Sequence, residues 1–397
     1  MRRLQKRDAF LLGIFTFLAA AVPAAPSLSP TREGELELRT AEDARVDSYR
    51  VSLESDKERG LLVSPLEVRF SPGSERNYLN NLVTNTAAAK DVQVTNIAFV
   101  KTHKTASTTL AYLLFRYARR HGAKLAQFDG HNSAIPLREA AAQTAKGKGR
   151  VDIMHYHMSV FGQLDGTWHE AEQNYRRIMR DDAAVNFVTV MRKPRSHLLS
   201  YYYYFIQPNT QKSIEEFLMH PKSSDNKQRS KLFNPLSAEF GVTTQAEAEH
   251  LVEHVLPRFK LVILTEAFDQ GLMVLRHLLD WEMIDMTYTV MYETKEGSKR
   301  FDGKPLVNKP RFEDLPRNVQ DRIDEITKLD CILYNASVKE YEKRRNAIGR
   351  QVMSDLVEFE TLQSVVTTYL SNNASSKANV MYHSADVYSS SPQMYAF

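Results

Sequence analysis

Short apolar runs alternate with segments of helical periodicity along most of the chain. Four runs are typical of buried strands, at residues 94–100, 151–154, 185–190 and 261–264. Helical spacing of apolar residues appears at 105–121, 168–180, 194–205, 246–256 and 267–280. Strands that alternate with helices favour parallel pairing. The pattern predicts an α/β fold, a doubly wound parallel sheet with helices on both faces, whose ligands bind at the carboxyl ends of the strands.

The N-terminus has the charge order of a signal sequence. Residues 1–8 include four Arg or Lys residues, and an apolar run follows at 9–25. Basic residues before such a run keep the N-terminus in the cytosol. The run is shorter than the roughly 20 residues that span an average bilayer, so both a cleaved signal and an anchor in a thin membrane fit. Either way, the rest of the chain is predicted to be lumenal or secreted.

The remaining segments differ in amino-acid composition. Residues 26–92 are rich in Ser, Glu, Arg and Pro and are predicted to form a stem. The main domain is assigned to 93–350, with a long charged helix over 315–346. Residues 351–397 are predicted to be a C-terminal tail that is partly disordered, because the part after about residue 370 is rich in Ser and Asn.

Composition excludes several classes of protein. The 397 residues are 43% hydrophobic and 25% charged, which suits one large globular domain with appendages. A net charge of +4 does not indicate a nucleic-acid partner. Cys331 is the only cysteine, so no intramolecular disulfide can form. It lies in the apolar stripe of a predicted helix, and we expect it to be buried and inert.

A polar loop after the first strand is the first candidate site. Residues 101–109, Lys-Thr-His-Lys-Thr-Ala-Ser-Thr-Thr, place two lysines and several hydroxyls where the strand meets a helix. A helix N-terminus attracts an anion through its dipole and free N–H groups, worth up to about 2 kcal/mol when partly buried. Hydroxyls alone would fit a capped helix equally well. The two lysines favour an anion site.

The loop differs from that of a nucleotide triphosphatase. It lacks the glycines of the G-x-x-x-x-G-K-[ST] motif, and no acidic strand end is evident to hold magnesium. The sequence therefore predicts a P-loop-like fold whose ligand is neutralised by lysine rather than by a metal ion. Phosphosulfate is such a ligand.

A second basic cluster follows the strand at 185–190. Arg192 lies at the strand's carboxyl end, Pro194 suits the first turn of the next helix, and Ser200 lies about two turns further. Arginine and serine can both bind one phosphate. Taken alone, an ordinary surface arginine fits as well, and most of the tyrosines at 201–204 are expected in the core.

Together the two clusters resemble the two phosphate-binding motifs of the sulfotransferase superfamily. There a loop binds the 5′-phosphosulfate of the donor, and an Arg with a Ser eight positions later binds the 3′-phosphate. Residues 104–108 and the pair Arg192 and Ser200 match these motifs. The galactose 3-O-sulfotransferase family is the closer resemblance, and it covers roughly residues 94–345. The stretches that carry it are 99–109, 152–158, 261–268 and 278–285.

The resemblance implies 3′-phosphoadenosine 5′-phosphosulfate as the donor and a sugar hydroxyl, the 3-OH of galactose in a glycolipid or glycoprotein glycan, as the acceptor. It also implies an uncleaved anchor and a Golgi membrane, with single-pass type II topology. The donor-binding residues expected from it are Lys101, Thr102, His103, Lys104, Thr105, Ala106, Ser107, Thr108, Arg192 and Ser200.

Two departures leave the acceptor open. Lys193 stands where an acidic residue or Asn is commoner, and the tyrosine run is also similar to uronyl 2-O-sulfotransferases. An inactive glycan-binding relative is a further alternative, although Lys104, Arg192 and Ser200 are all retained. A kinase would need magnesium ligands that the sequence does not offer.

Sulfuryl transfer needs a cation near the leaving oxygen and a base for the acceptor hydroxyl. Lys104 is the expected cation, because it opens the helix on which the phosphosulfate should lie. His157 is the expected base, with His155 second, since both follow a predicted strand. A metal pair would need a third ligand that the spacing does not reveal, so no metal is expected. Asn335 and Asn373 begin glycosylation sequons, which we expect to be used in the lumen.

Overall fold

The sheet is parallel and has four strands. The computed structural model describes residues 96–129, 134–158, 166–220, 222–288 and 304–372. Within them the strands are β1 Ile97–Val100, β2 Ile153–Met154, β3 Asn186–Met191 and β4 Leu261–Leu264. Nearly every strand residue is buried, as expected for a parallel sheet covered by helices. The predicted α/β class with a parallel sheet is confirmed.

The strand order creates a crevice between β1 and β3. The order is β2-β1-β3-β4, and β1 pairs with β3 from Ile97 opposite Asn186 to Val100 opposite Thr189. The chain leaves β1 towards β2 on one side and then returns past β1 to β3 on the other. Such a switch point is where open α/β sheets bind ligands. The loop after β1 and the segment after β3 both lie at this crevice.

Helices make up most of the remaining described residues. They are α1 Ser107–His121, α2 Leu137–Gln143, α3 Trp168–Ile178, α4 Pro194–Tyr201, α5 Gln207–Thr210, α6 Ile214–Met219, α7 Asn226–Ser230, α8 Pro235–Ala238, α9 Gln245–His250, α10 Phe268–Leu279, α11 Met283–Met286, α12 Arg317–Ile326, α13 Lys328–Ile348 and α14 Gln351–Asn372. Wider π-helical turns occur at Thr144–Lys148, Tyr202–Ile206 and Leu251–Val255. Single 3₁₀ turns occur at Ser223–Asp225, Leu256–Arg258, Thr265–Ala267 and Phe312–Asp314.

Local sequence signals explain several helix ends. Gly122, with φ 67°, ends α1, and the backbone conformation it needs is one that glycine adopts readily. Thr167 and Glu170 form a capping box at the start of α3. Pro194 occupies the first turn of α4, as predicted. The long helix predicted over 315–346 is two helices, α12 and α13, separated at Thr327.

The folded part of the chain extends beyond residue 350. The tail predicted from residue 351 begins with the 22-residue helix α14, which packs against α10. Its buried side chains recur every three or four positions: Val352, Leu356, Phe359, Leu362 and Val366. Buried Asp355 also pairs with Arg276 and with His277 of α10, the latter at 2.8 Å. The domain boundary at 350 stays a prediction, and the first part of the predicted tail, α14, adds this apolar stripe to the core.

Several sequence-based assignments fall outside the described residues. These are the cytosolic tail 1–8, the anchor 9–25, the stem 26–92 and the sequon at Asn373. In the part of the chain that the structure describes, no helix has the length and apolar character needed to cross a membrane. Cys331 lies in α13, as predicted, but is only half-buried, and burial raises the pKa of its thiol.

Candidate active site

Two left-handed residues shape the donor loop, the name used here for residues 101–108. Lys104 has φ 59° and Ala106 has φ 63°, conformations that non-glycine residues seldom adopt. Such turns aim successive backbone N–H groups towards one side and create an anion-binding concavity. No described residue accepts a hydrogen bond from the backbone N–H groups of residues 104–108. The loop therefore offers a row of free donors at the start of α1.

The loop's buried hydroxyls hold the loop itself. Thr102 Oγ1 donates to Val190 O at 2.7 Å and lies 2.8 Å from Thr105 Oγ1, and Ser107 Oγ donates to Thr102 O. All three side chains are buried. The sequence correctly indicates a polar loop but cannot tell which hydroxyls face inward. Backbone N–H groups, Lys104 and partly exposed Thr108 are left to meet a ligand.

Residues from the next two strand ends fix the outer side of the loop. Arg192 Nη1 donates to Lys104 O at 2.9 Å, and His197 Nε2 donates to His103 O at 2.8 Å. Thr265 Oγ1 lies 3.0 Å from Thr105 O, which accepts its hydrogen bond. His197 and Thr265 are not among the predicted site residues. Their position just after β3 and β4 is the signal that could have found them.

Ser200 lies in the last turn of α4 and is partly exposed. Its hydroxyl has no hydrogen-bond partner among the described residues. Of this pair, only Arg192 forms a hydrogen bond with the donor loop in the part of the chain that the structure describes. A shared phosphate ligand stays a prediction for this pair.

Lys104 of the loop lies near two further cations, Arg192 and Lys309. Burial, together with the nearby charges of Arg192 and Lys309, lowers the pKa of Lys104 to about 7. Burial lowers the pKa of Arg192 too, against the opposing effect of the Glu266 carboxylate. Lys309 reaches this group from a distant segment, and burial and the charge of Arg192 lower its pKa. Mutually repelling cations of this kind are stabilised when an anion binds between them.

A histidine of the loop, His103, stacks on His157. The rings of His103 and His157 have centroids 3.8 Å apart and an interplanar angle of 13°. His157 Nδ1 lies 3.0 Å from Lys101 O. Burial, with the positive charges of His103 and Lys101, lowers the pKa of His157 well below its usual range. His157 is therefore a neutral imidazole whose Nδ1 hydrogen is donated to the carbonyl and whose Nε2 keeps a lone pair.

Glu239 binds His103 at two atoms. Its Oε1 accepts from the backbone N–H of His103 at 2.6 Å, and its Oε2 lies 3.1 Å from His103 Nδ1. The Glu239 side chain is 4% exposed. No motif in the sequence indicates this residue, because it follows the short helix α8 and reaches the site only through the tertiary fold.

Lys101, the first residue of the loop, and His155 are both buried. Lys101 is 3% exposed, and burial lowers its pKa to about 8 against the opposing charge of Glu239. His155 is 2% exposed, and burial, followed by the charge of Lys101, lowers its pKa to about 3. The His155 ring contacts Tyr156 at 4.9 Å, whereas His157 contacts the loop. The two predicted base candidates therefore occupy different environments.

A comparison with protein-family models identifies the family of this chain. The galactose-3-O-sulfotransferase model matches residues 60–364, which is well over half of the chain. The chain belongs to the galactose-3-O-sulfotransferase family. The matched region includes the donor loop, Arg192, Ser200, the stacked histidines and Glu239.

Individual members of the family are moderately similar. Galactosylceramide sulfotransferase of Mus musculus is 33% identical over 278 residues, which cover 65% of this chain and 60% of the relative. The Homo sapiens protein of the same name is 28% identical over 277 residues, with the same coverage. Galactose-3-O-sulfotransferase 3 of Mus musculus is 29% identical over 224 residues, 51% of this chain and 49% of the relative. The alignments thus span 60% or less of these curated relatives.

The structure also places a third potential metal ligand, Glu239, beside His103 and His157. Ligand atoms of His103, His157 and Glu239 all lie within 4.8 Å of one another. However, both Glu239 oxygens already accept hydrogen bonds from His103, and the Nδ1 of His157 donates to a carbonyl. A metal ion would have to replace some of these bonds.

Proposed function

We propose that the chain is a carbohydrate sulfotransferase that transfers a sulfuryl group from 3′-phosphoadenosine 5′-phosphosulfate to a sugar hydroxyl, the 3-OH of a galactose in a glycolipid or glycoprotein glycan. One observation supports it above the others. Free backbone N–H groups and the cation Lys104 lie beside a stacked pair of imidazoles. The names of the family and of its members, which include galactosylceramide sulfotransferase, support the galactose acceptor.

The proposed reaction uses both the donor loop and the stacked imidazoles. The N–H groups of the donor loop bind the phosphosulfate, and Lys104 neutralises charge on the oxygen that bridges phosphorus and sulfur. The acceptor oxygen forms a bond to sulfur as the bond from sulfur to the bridging oxygen breaks. An imidazole takes the acceptor's proton. The products are the sulfated sugar and 3′-phosphoadenosine 5′-phosphate.

The base is one of the two stacked imidazoles. The sequence-based choice of His157 stays a prediction, since its Nε2 has a lone pair and it lies beside the loop. Burial strongly lowers the pKa of His157, which makes it a weak proton acceptor. His103 has the same free nitrogen and, in addition, a carboxylate partner.

Transfer of radiolabelled sulfate from the donor to a glycan array tests the proposal. We expect labelling of galactose-terminated glycans, with and without chelator. Labelling of uronic-acid acceptors alone would indicate the uronyl 2-O alternative. Donor binding without any transfer would indicate an inactive glycan-binding relative, and magnesium-dependent phosphate transfer would indicate a kinase.

Lys104→Ala tests the proposed role of the cation. Loss of a group that stabilises developing charge should lower kcat by on the order of 10²–10³, with a smaller change in donor affinity. Lys339→Ala, at an exposed position of α13, is the matched control and should change neither. Turnover of the Lys104 variant within a few-fold of wild type would remove Lys104 from the mechanism.

The proposed location is the Golgi membrane, with type II topology and the catalytic domain in the lumen. Asn335 is exposed on α13, although the hydroxyl of its sequon partner Ser337 is buried and donates to Leu333 O at 2.7 Å. We expect Asn373 to be glycosylated more readily than Asn335. Protein made in cells is treated with glycosidase and compared by gel electrophoresis. An unchanged electrophoretic mobility would contradict lumenal exposure.

A further inference from the structure

The backbone that carries Glu239 is held by contacts outside the donor loop. Glu239 directly follows α8, whose first turn is bound by Asp330 of α13. Asp330 accepts hydrogen bonds from the backbone N–H of Leu236 at 3.2 Å and from that of Ser237 at 2.7 Å. The Ser237 hydroxyl donates to the same carboxylate at 2.7 Å. This support comes from α13, so the position of the Glu239 backbone does not depend on the donor loop.

Glu239 fixes both the place and the tautomer of His103. One carboxylate oxygen binds the backbone N–H and the other binds Nδ1, at 2.6 Å and 3.1 Å. A carboxylate only accepts hydrogen bonds, so the ring hydrogen is on Nδ1 and the lone pair is on Nε2. This is the arrangement by which a carboxylate prepares an imidazole to act as a base.

The surroundings of the stacked pair favour one ring as the proton acceptor. At a centroid separation of 3.8 Å, a positive charge on one ring repels a positive charge on the other. His103 has the Glu239 carboxylate as its partner. Among the described residues, the hydrogen-bond partner of the His157 ring is the neutral carbonyl of Lys101, and the Lys101 ammonium acts against a positive charge on this ring.

We propose that Glu239 is a positioning residue that makes Nε2 of His103 the acceptor of the sugar proton. The inference rests on the proposed sulfotransferase function and deepens it. The O–H bond of the acceptor breaks, its proton moves to Nε2 of His103, and the acceptor oxygen binds sulfur. The electron pair of the broken sulfur–oxygen bond stays on the phosphate of the leaving nucleotide. The Glu239 carboxylate stabilises the imidazolium through its hydrogen bond with Nδ1.

Glu239→Gln is the decisive variant because it keeps the side chain's size. Its amide oxygen can still accept from the backbone N–H of His103, which turns the NH₂ group towards Nδ1. An NH₂ group donates, so Nδ1 must accept and the ring hydrogen moves to Nε2, where it blocks proton uptake. We expect kcat to fall on the order of 10²–10⁴, with donor affinity within a few-fold of wild type.

Three further variants separate positioning from simple stability. Glu239→Asp keeps the acceptor and should recover part of the lost kcat. Glu239→Gln should cost little more once His103→Ala is present, but its full amount in a His157→Ala background. Glu172→Gln, at a buried carboxylate that pairs with Arg176 and Arg258, is the matched control and should leave kcat unchanged.

Nitrogen-15 NMR of the histidine rings provides a readout that stability alone does not change. The His103 ring should show the Nδ1–H tautomer in the wild type and the Nε2–H tautomer in Glu239→Gln. An unchanged tautomer would overturn the proposal, as would equal losses from Glu239→Gln with and without His103.

Wild-type transfer is measured first, so that the two hypotheses can fail separately. An inactive wild type would contradict the proposed function. An active wild type with a Glu239→Gln variant within a few-fold of it would contradict only the role of Glu239. Activity that chelator abolishes and added metal restores would also overturn it, because Glu239 would then be a ligand.

Discussion

The ammonium group of Lys104 lies 3.5 Å from the centroid of the Tyr204 ring. Tyr204 belongs to the π-helical turn that continues α4, and the next residue, Phe205, contacts the His103 ring edge-on at 5.5 Å. Consecutive residues of this turn therefore support consecutive residues of the donor loop. A wide turn of this type is frequent at functional sites, since it changes the direction of side chains within a helix.

The ring of Tyr204 should hold the Lys104 ammonium in its working position. A cation–π contact contributes roughly 0.5–2 kcal/mol, so Tyr204→Leu should lower kcat by about 2- to 30-fold. Tyr204→Phe keeps the ring and should stay within about twofold of wild type. Steady-state kinetics with saturating donor measure both. Equal losses for the two variants would assign the effect to the hydroxyl rather than to the ring.

Donor binding should take up a proton. Lys104 of the free enzyme loses its proton as the pH rises through about 7, because burial and two neighbouring cations lower its pKa. A bound phosphosulfate favours the charged form, so it raises this pKa again. Affinity for the donor should therefore decline as the pH rises from about 7 to 9, with proton uptake of up to one per site.

Calorimetry in buffers of different ionisation enthalpy measures this uptake with the product nucleotide as ligand. Lys104→Ala should abolish most of it. Uptake that persists in this variant would point to Lys101, whose pKa is lowered to about 8, and would contradict the assignment to Lys104.

The sequence predicts the parts of the site that depend on local pattern. The loop between β1 and α1 is recognisable because an apolar run, a polar turn and a helical period follow one another within a few residues. Arg192 is recognisable for the same reason at the end of β3. Tyr204, Glu239 and Lys309 are not, because each comes from a segment whose approach to the loop is set by tertiary packing.

The sequence also does not show which hydroxyls of the donor loop face the protein interior and which face a ligand. Thr102, Thr105 and Ser107 have the residue types of anion ligands, but all three are buried and hold the loop. We therefore expect backbone N–H groups, rather than these side-chain hydroxyls, to bind the sulfuryl donor. A left-handed backbone at Lys104 and Ala106 cannot be read from these residue types, since neither favours it.

Arg192 is expected to have two roles, binding the backbone of Lys104 and binding the 3′-phosphate of the donor. Measurements of ligand affinity can distinguish these roles. Its Nη1 donates to the backbone oxygen of Lys104 at 2.9 Å, and the rest of the guanidinium is the predicted ligand of the 3′-phosphate. A hydrogen bond to a charged group contributes about 1.5–3 kcal/mol. Arg192→Ala should therefore weaken binding of 3′-phosphoadenosine 5′-phosphate by roughly 10- to 150-fold.

An analogue that lacks the 3′-phosphate should lose much less affinity in the same variant. Calorimetry with both ligands measures the difference. Arg195→Ala is the control, because Arg195 is exposed and pairs with Asp324 at 2.6 Å. Equal losses for the two ligands would mean that Arg192 acts only through the position of Lys104.

The final prediction concerns the role of α14 in stability. Phe359 is fully buried, and its helix is joined to α10 by the pairing of Asp355 with Arg276 and His277. Removing a buried phenyl ring leaves a cavity, so Phe359→Ala should lower the free energy of unfolding by about 3–5 kcal/mol. Ser354→Ala, at an exposed position of the same helix, should change it by less than about 0.5 kcal/mol. Urea titration followed by tryptophan fluorescence measures both variants. If Phe359→Ala unfolds at the wild-type midpoint, α14 does not contribute to the core, and the domain would end near residue 350 as the sequence first indicated.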